Sequence, residues 1–356
     1  MGTSSGLLGM KDSQTIEKTT TIKKVSETRF GTLSEGIFKF RRKWKEIKSI
    51  EVTEFTVLGI TDDPDLQIPL FLVCFIIYLA IVLGNLGLIV LTKIDSGLET
   101  PVYFFLRKLS FTDLECSNDI GPKMLINFVV EKNIISYAGC AIQLLAFITL
   151  ILSELFMLSV LAYDSYVAMC NSLHYIVTMS DKMYCILVII PYIYGSFVAL
   201  LTTINVSNIS FWKSDVISHF CCDTLPLLRI LCKDAKDIEL IILILSAFNL
   251  IYSWLMVLVS YGLILVIILR MNSAEGRHKA FSTCVSHLIV VVVFYGTLSF
   301  IYLQAHSSHS FDTNKMASTC YTLLIPMLNF LIYSLKNKDV RGALKRALEN
   351  KYKCLP

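Results

Sequence analysis

The sequence predicts an all-α membrane protein, a seven-transmembrane helix bundle followed by a short amphipathic helix. Three observations carry this. Hydrophobic residues make up 54% of the 356 and charged residues 17%, with a mean hydropathy of +0.63, whereas a soluble domain is typically about a quarter charged. Seven stretches approach the roughly 20 apolar residues needed to cross a bilayer core. They lie at 68–92, 101–130, 138–163, 184–204, 237–269, 280–303 and 316–335. Lys and Arg gather in alternate connections, as expected of a polytopic chain.

Taken in order, residues 1–53 form a basic, polar extension without a span, expected to be disordered. Its first 50 residues hold 11 Lys/Arg against 5 Asp/Glu, a net of +6. No cleavable signal peptide is expected, because the first apolar block starts near Ile68, too far in and too long. The start misses the myristoylation pattern at Gly6, and Cys354-Leu355-Pro356 falls one residue short of a prenylation box. Residues 54–335 form the membrane core. Its first span carries no charge before Lys93, while its second is interrupted by Arg107, Lys108, Asp113, Glu115, Asp119 and Lys123. The third ends in Asp164-Ser165-Tyr166, which places an acid at the boundary where a cytosolic partner would meet the bundle.

Orientation follows from the short connections. Arg270, Arg277 and Lys279 lie between spans five and six. The tail 336–356 carries Lys336, Lys338, Arg341, Lys345, Arg346, Lys351 and Lys353. Both are therefore expected in the cytosol, and an odd number of spans puts the N-terminus outside. The basic N-terminal arm argues the other way but is outweighed by two regions that agree.

Several polar residues have competing readings. Cysteines within spans, such as Cys74, Cys284 and Cys320, read as small apolar fillers. Cys140, Cys221, Cys222 and Cys232 fall on the outer side, where thiols can pair. Cys221 and Cys232 either bond to each other or stay free. Asn205-Val206-Ser207 and Asn208-Ile209-Ser210 are glycan acceptor sequences close to the end of span four. His306 and His309 read as solvated loop residues rather than metal ligands, since no further ligand stands nearby.

From Glu54 to Leu344 the chain resembles the olfactory receptors, a branch of the rhodopsin-like G-protein-coupled receptors. The matching runs are EFTVLGITDDPDLQ (54–67), Gly84-Asn85, TPVYFFLRKLSFTDL (100–114), LAYDSYVAMCNSLHY (161–175), Ser260-Tyr261, KAFSTCVSHL (279–288), Phe294-Tyr295-Gly296 and PMLNFLIYSLKNKDV (326–340). The resemblance implies a Cys140–Cys222 disulfide pinning the long loop over the bundle's mouth. It implies a ligand pocket lined by Phe147, Ile148 and Ile151 of span three and Ser246 and Asn249 of span five. Leu298, Ser299 and Tyr302 of span six complete it. Residues 147, 148 and 151 share one helical face, and the mixed lining suits a small, mostly apolar volatile ligand. Tyr295 would be the switch beneath the pocket, acting with Tyr261, Asn329 and Tyr333. Asp164, Ser165, Tyr166 and His287 would face a heterotrimeric G protein. Asp113 and Glu154, with Asn85 and Asn329 nearby, would either hold a sodium ion through oxygen ligands or form a hydrogen-bonded acid pair that fixes packing. No other cofactor is expected. Residues 337–350 would lie along the membrane, with Val340, Leu344 and Leu348 on one face.

The chain departs from the family pattern at four places. Ser165 stands for arginine, Ser172 for proline, Phe330 for proline and Trp212 for cysteine. Serine lacks the guanidinium fork and charge, and without proline the seventh helix is expected to run straighter. Weak or absent coupling is therefore expected, against the alternative of a working receptor with altered basal activity. Other classes fit worse. A transporter would show paired broken helices or repeats. An enzyme would show a nucleophile–base pair or phosphate loop. The basic residues flank spans rather than form a nucleic-acid surface.

Overall fold

The computed structural model describes residues 53–61, 63–130, 133–170, 175–207, 214–230, 236–304, 315, 318–335 and 337–353. All belong to one compact unit, Glu51–Pro356. The extension 1–52, Ser172, Asn208, Trp212, Cys232, His306 and His309 lie outside the described residues.

Strand β1 (Glu54–Val57) leads into helix α1 (Pro64–Ile94). Asp63 caps α1 by accepting from the Asp65 N–H at 3.0 Å, and Pro64 presets the first helical φ. A 3-10 turn (Ser96–Leu98) precedes helix α2 (Pro101–Ile126), again opened by proline. Strand β2 (Asn133–Ser136) and helix α3 (Tyr137–Cys170) follow, then the short α4 (Tyr175–Thr178) and helix α5 (Asp181–Ser207). Strand β3 (Val216–Ile217) and the six-residue α6 (Thr224–Arg229) cover the end of the bundle before α7 (Lys236–Arg270) and α8 (Ala274–Gln304). A π-helical turn (Cys320–Leu324) opens α9 (Ile325–Leu335), and α10 (Lys338–Lys353) ends the fold.

By length and apolar content α1, α3, α5 and α7 can each cross a bilayer. Helix α2 falls outside that set, in keeping with its interrupting charges. The apolar parts of α8 and α9 are shorter, His287–Phe300 and Thr322–Ser334. The expected third span stopped at 163, but α3 continues through Asp164 to Cys170. Helix α3 is the inner post. In its most apolar window 56% of residues are buried, against 11% in α1. Large aliphatics such as Ile76, Leu83, Ile193 and Val259 stand exposed on the outer faces. In water that surface would be unfavourable at roughly 25 cal/mol per Å2; against acyl chains it is not.

One end of the bundle carries a three-stranded sheet in the order β2-β1-β3. Strand β1 runs antiparallel to β2, with Phe55 opposite Ile135, and parallel to β3, with Val57 opposite Ile217. Phe55 and Val57 point inward and are buried, and the Phe55 ring lies 6.0 Å from Tyr137. The segment after β1 is tied to the chain ahead of the π turn, since Lys315 Nζ donates to the Gly59 carbonyl at 3.0 Å. At the opposite end Asn337 caps α10, accepting from the Asp339 and Val340 N–H groups. Arg346 grips Asp95 through Nε and Nη2 at 3.0 and 2.8 Å. Along α10, Val340 and Ala343 are buried, and Arg341, Lys345 and Arg346 are exposed.

Helix α9 is regular through Phe330, as a residue other than proline allows, and its departure from α geometry lies upstream in the π turn. The Phe330 ring occupies the space beside Gly84, where an added Cβ would come within 2.5 Å of it. Gly84 thus makes room for the aromatic ring.

Two stability outcomes follow. Phe55→Ala should cost about 3–5 kcal/mol, as for other buried aromatic deletions, read as a lowered melting temperature of the purified chain in detergent. Gly84→Ala should cost about 1–3 kcal/mol by overpacking. Adding Phe330→Ala should recover most of that loss, a non-additivity that a thermal double-mutant cycle would detect.

Candidate functional site

Helix α3 places Phe147, Ile148 and Ile151 on one side of a cavity of about 60 Å3. Ser246 and Asn249 of α7 and Leu298 of α8 line the same space. Six of the eight residues expected to line a pocket are therefore brought together. Ser299 does not line the cavity, and Tyr302 lies on α8 with its side chain outside the description. The lining also includes residues that sequence reasoning missed: Val198 and Thr202 of α5, Ile242 of α7, and Asp223 and Thr224 beneath the sheet. The last two follow directly on Cys222, so the disulfide partner was the one available signal.

Cys140 and Cys222 are bonded, as expected. Gln143 reinforces the link. Its Oε1 accepts from the Cys222 N–H at 3.1 Å and its Nε2 donates to the Asp119 carbonyl at 3.0 Å. Cys221 is a free thiol, 3.3 Å from His219 Nδ1, and burial pushes its pKa well up, which keeps it protonated. Asn249 is already engaged, with Oδ1 accepting from Tyr194 at 2.5 Å and Nδ2 donating to the Leu245 carbonyl at 2.9 Å.

Beneath the cavity, Tyr295 is buried and its hydroxyl bonds to Ser253 of α7 and to the Leu155 carbonyl of α3. Ser159 and Ser253 share a hydrogen bond of 2.7 Å. The expected switch residue thus joins α8 to α3 and α7, through two serines the sequence did not single out.

Lower still, one amide meets two acids. Asn329 Nδ2 donates to both oxygens of Asp113 at 3.1 Å and to Glu154 Oε1 at 3.2 Å. Asp113, Glu154 and Asn329 are all buried. Asn85 donates to the carbonyls of Ile81 and Pro326. Its Oδ1, with Ser117 Oγ and Asn329 Oδ1, is buried without a protein partner. An oxygen-rich set with spare acceptors fits a hard cation.

At the end opposite the sheet, Asp164 is buried rather than presented, and its Oδ1 accepts from Tyr175 at 2.8 Å. Burial and the Asp164 charge push the Tyr175 phenol pKa up, so it remains a donor. The Ser165 hydroxyl turns back to the Leu161 carbonyl at 2.8 Å. The acid expected at the boundary with a cytosolic partner is thus covered in this arrangement. Helix α3 runs past it and the loop tyrosine covers it. His287 Nδ1 bonds to the Tyr261 hydroxyl, and the His287 ring stacks on Tyr261 and tilts against Tyr333 at 6.1 Å. Tyr166 packs nearby against Ile264, Ile268 and Cys284. Asn205 lies in the last turns of α5 with its amide donating to the Leu201 carbonyl at 2.8 Å.

The family model described as olfactory receptor matches residues 73–351. The chain is 59% identical over 303 residues to olfactory receptor 8K1 of Homo sapiens, covering 85% of this chain and 95% of that protein. It is 61% identical over 299 residues to human olfactory receptor 8K3, covering 84% and 96%. With olfactory receptor 8U3 of Mus musculus it shares 50% over 310 residues, covering 87% and 97%.

The acid cluster generates a stability test. Asn329→Leu removes the donor shared by two buried carboxyl groups, and leaving buried acceptors unpaired costs about 1–3 kcal/mol. Thermal denaturation of Asn329→Leu against Asn329→Gln should show the large loss only in the first. Equal losses would mean that shape, not the amide, is what the site requires.

Proposed function

Because the chain belongs to the olfactory receptor family, we propose that it is an odorant receptor of the plasma membrane. It binds a small, mostly apolar volatile ligand within the helix bundle and signals through a heterotrimeric G protein of the olfactory type. This is a receptor family and not an enzyme family. The observation that carries the ligand reading is the inner cavity. Phe147, Ile148, Ile151 and Leu298 supply apolar contact, and Thr202 and Ser246 supply hydroxyls that would orient a ligand. Burial would provide most of the affinity, at roughly 25 cal/mol per Å2.

In this reading the helices α1, α2, α3, α5, α7, α8 and α9 are the seven spans. The sheet end faces outward and the basic helix α10 lies against lipid at the cytosolic surface. Leu344 turns toward the acyl region, while Val340 packs into the bundle. Residues 1–53 are an extension and 336–356 the cytosolic helix and tail. The glycan acceptors Asn205 and Asn208 then fall on the outer side. Nucleic acid has no place in this function.

Activation shifts the bundle only by the ligand's differential affinity for the open state. Tyr295 stands between the cavity and the acid cluster, so a ligand resting on Leu298 reaches it through one turn of α8. A sodium ion at Asp113 and Glu154, with Asn85 and Asn329 beside them, would hold the resting arrangement. A melting temperature higher in sodium chloride than in choline chloride, with the difference lost in Asp113→Asn, is the expected outcome. A difference that persists in the variant argues for packing alone.

Coupling is impaired in this proposal. Ser165 brings no guanidinium to a G protein, and Phe330 replaces a helix-breaking proline with a ring wedged beside Gly84. The Tyr175–Asp164 bond favours a resting state that is still held. We expect cAMP accumulation on a broad odorant panel, with surface display confirmed, to rise about tenfold or more in Ser165→Arg/Phe330→Pro over the native chain, the factor given by a typical coupling free energy. Equal agonist-driven responses would show that both residues are tolerated.

A further inference from the structure

Two cavities meet at Asn249, and their surroundings differ. The inner one lies within the bundle and is covered from the sheet end by Asp223 and Thr224. The second is a groove of about 590 Å3 among α3, α5 and α7. Its rim lies on the outer surface, where Ile190, Phe248 and Tyr252 are at least half exposed. Its floor is buried at Ser159 and Asn249. All three helices are long and apolar enough to cross a bilayer, so the groove opens toward acyl chains rather than water.

The partition between the two spaces is thin. Asn249 lines both. Its Oδ1 accepts from Tyr194, which lines the groove and packs edge-on to Phe156 at 5.3 Å. Breaking the Tyr194 bond would free the side chain of Asn249, the residue the two spaces share. Among the described residues the groove lining carries no charged side chain, and its polar atoms are hydroxyls and one amide. Such a lining suits an apolar molecule with a single hydroxyl or carbonyl. Molecules of that kind concentrate in a bilayer, by about fourfold for each methylene buried.

We propose that this membrane-facing groove is a second ligand site and the entrance to the inner cavity. A small apolar alcohol or carbonyl compound dissolved in the bilayer binds there and passes inward where Tyr194 releases Asn249. The proposal rests on the reading of the inner cavity as the ligand pocket. The Tyr194–Asn249 contact is the gate, and the groove selects against charged and strongly hydrated molecules before they reach the pocket.

The test uses the full chain in phosphatidylcholine nanodiscs with an eight-carbon aliphatic alcohol carrying a diazirine. Flash photolysis at successive times and peptide mapping locate the label. Saturable labelling is expected in the groove, at Met183, Tyr252 or Met256, and later in the inner cavity, at Phe147 or Ile148. Val160→Trp, which fills the groove, should abolish the first and delay the second. Tyr194→Phe, which keeps the ring but removes the bond, should speed inner labelling about three- to tenfold, the range given by one net hydrogen bond. Inner labelling with unchanged kinetics in both variants overturns the entrance. So does groove labelling that never saturates and matches lipid-facing positions such as Ile76 and Leu83, which would mean ordinary lipid fills the space. Saturable groove labelling without inner labelling overturns both the entrance and the reading of the inner pocket. Inner labelling without groove labelling leaves that pocket reading standing and overturns this inference alone.

Discussion

A carboxyl group inside an apolar bundle is costly unless something meets it, and this bundle sets two side by side, Asp113 and Glu154, answered by one amide. Asn329 of α9 reaches Asp113 of α2 and Glu154 of α3 at once. That single contact sets the mutual position of three helices, because no slide of one past another keeps all three bonds. The layers above and below take their registers from it. Tyr295 bonds to the Leu155 carbonyl, next to Glu154 on α3. His287 and Tyr333 pack at a tilt below, with Tyr333 one turn beyond Asn329 on α9. The inner cavity, the Tyr295 contact, the acid cluster and Asp164 are thus strung along α3.

The two ends are held by different means. At the sheet end the side-chain ties of Gln143 and Lys315 are backed by a covalent bond, Cys140–Cys222, and by the backbone pairing of β1 with both β2 and β3. These leave little freedom over the cavity. At the opposite end they are side-chain contacts, Tyr175 with Asp164, Tyr261 with His287, Tyr103 with Asn337 and Asp339, and Arg346 with Asp95. Each can break and re-form singly, which would suit the opening that the proposed activation requires. Stiff cover and yielding base are what a ligand needs if occupancy near the cover is to be felt at the base.

Much of the candidate site was legible because helical spacing is local. Phe147, Ile148 and Ile151 share a face by periodicity alone, and Asn249 and Leu298 were found through motifs that number the neighbouring helices. Contacts made by chance of packing were not legible. Nothing local in Ser159 or Ser253 marks them as partners of Tyr295, since buried serines in apolar helices usually bond back to their own backbone. Tyr175 ends a recognisable run, yet its bond to Asp164 depends on where the loop folds. Gly84 belongs to a motif, but its service to Phe330 exists only because a proline is missing elsewhere in the chain.

By itself the sequence determined the class of the protein: long apolar runs, few charges and basic connections leave a helical membrane bundle as the form that satisfies every backbone group. It also determined the family, because order and spacing of motifs survive in one dimension. The tertiary structure alone decided that Asp164 is covered, that Asn249 is shared between two cavities, and that one amide serves two acids. Those outcomes depend on distances between residues far apart in the chain. Such distances are set by how side chains of particular volume fill the gaps between helices, which no local pattern specifies.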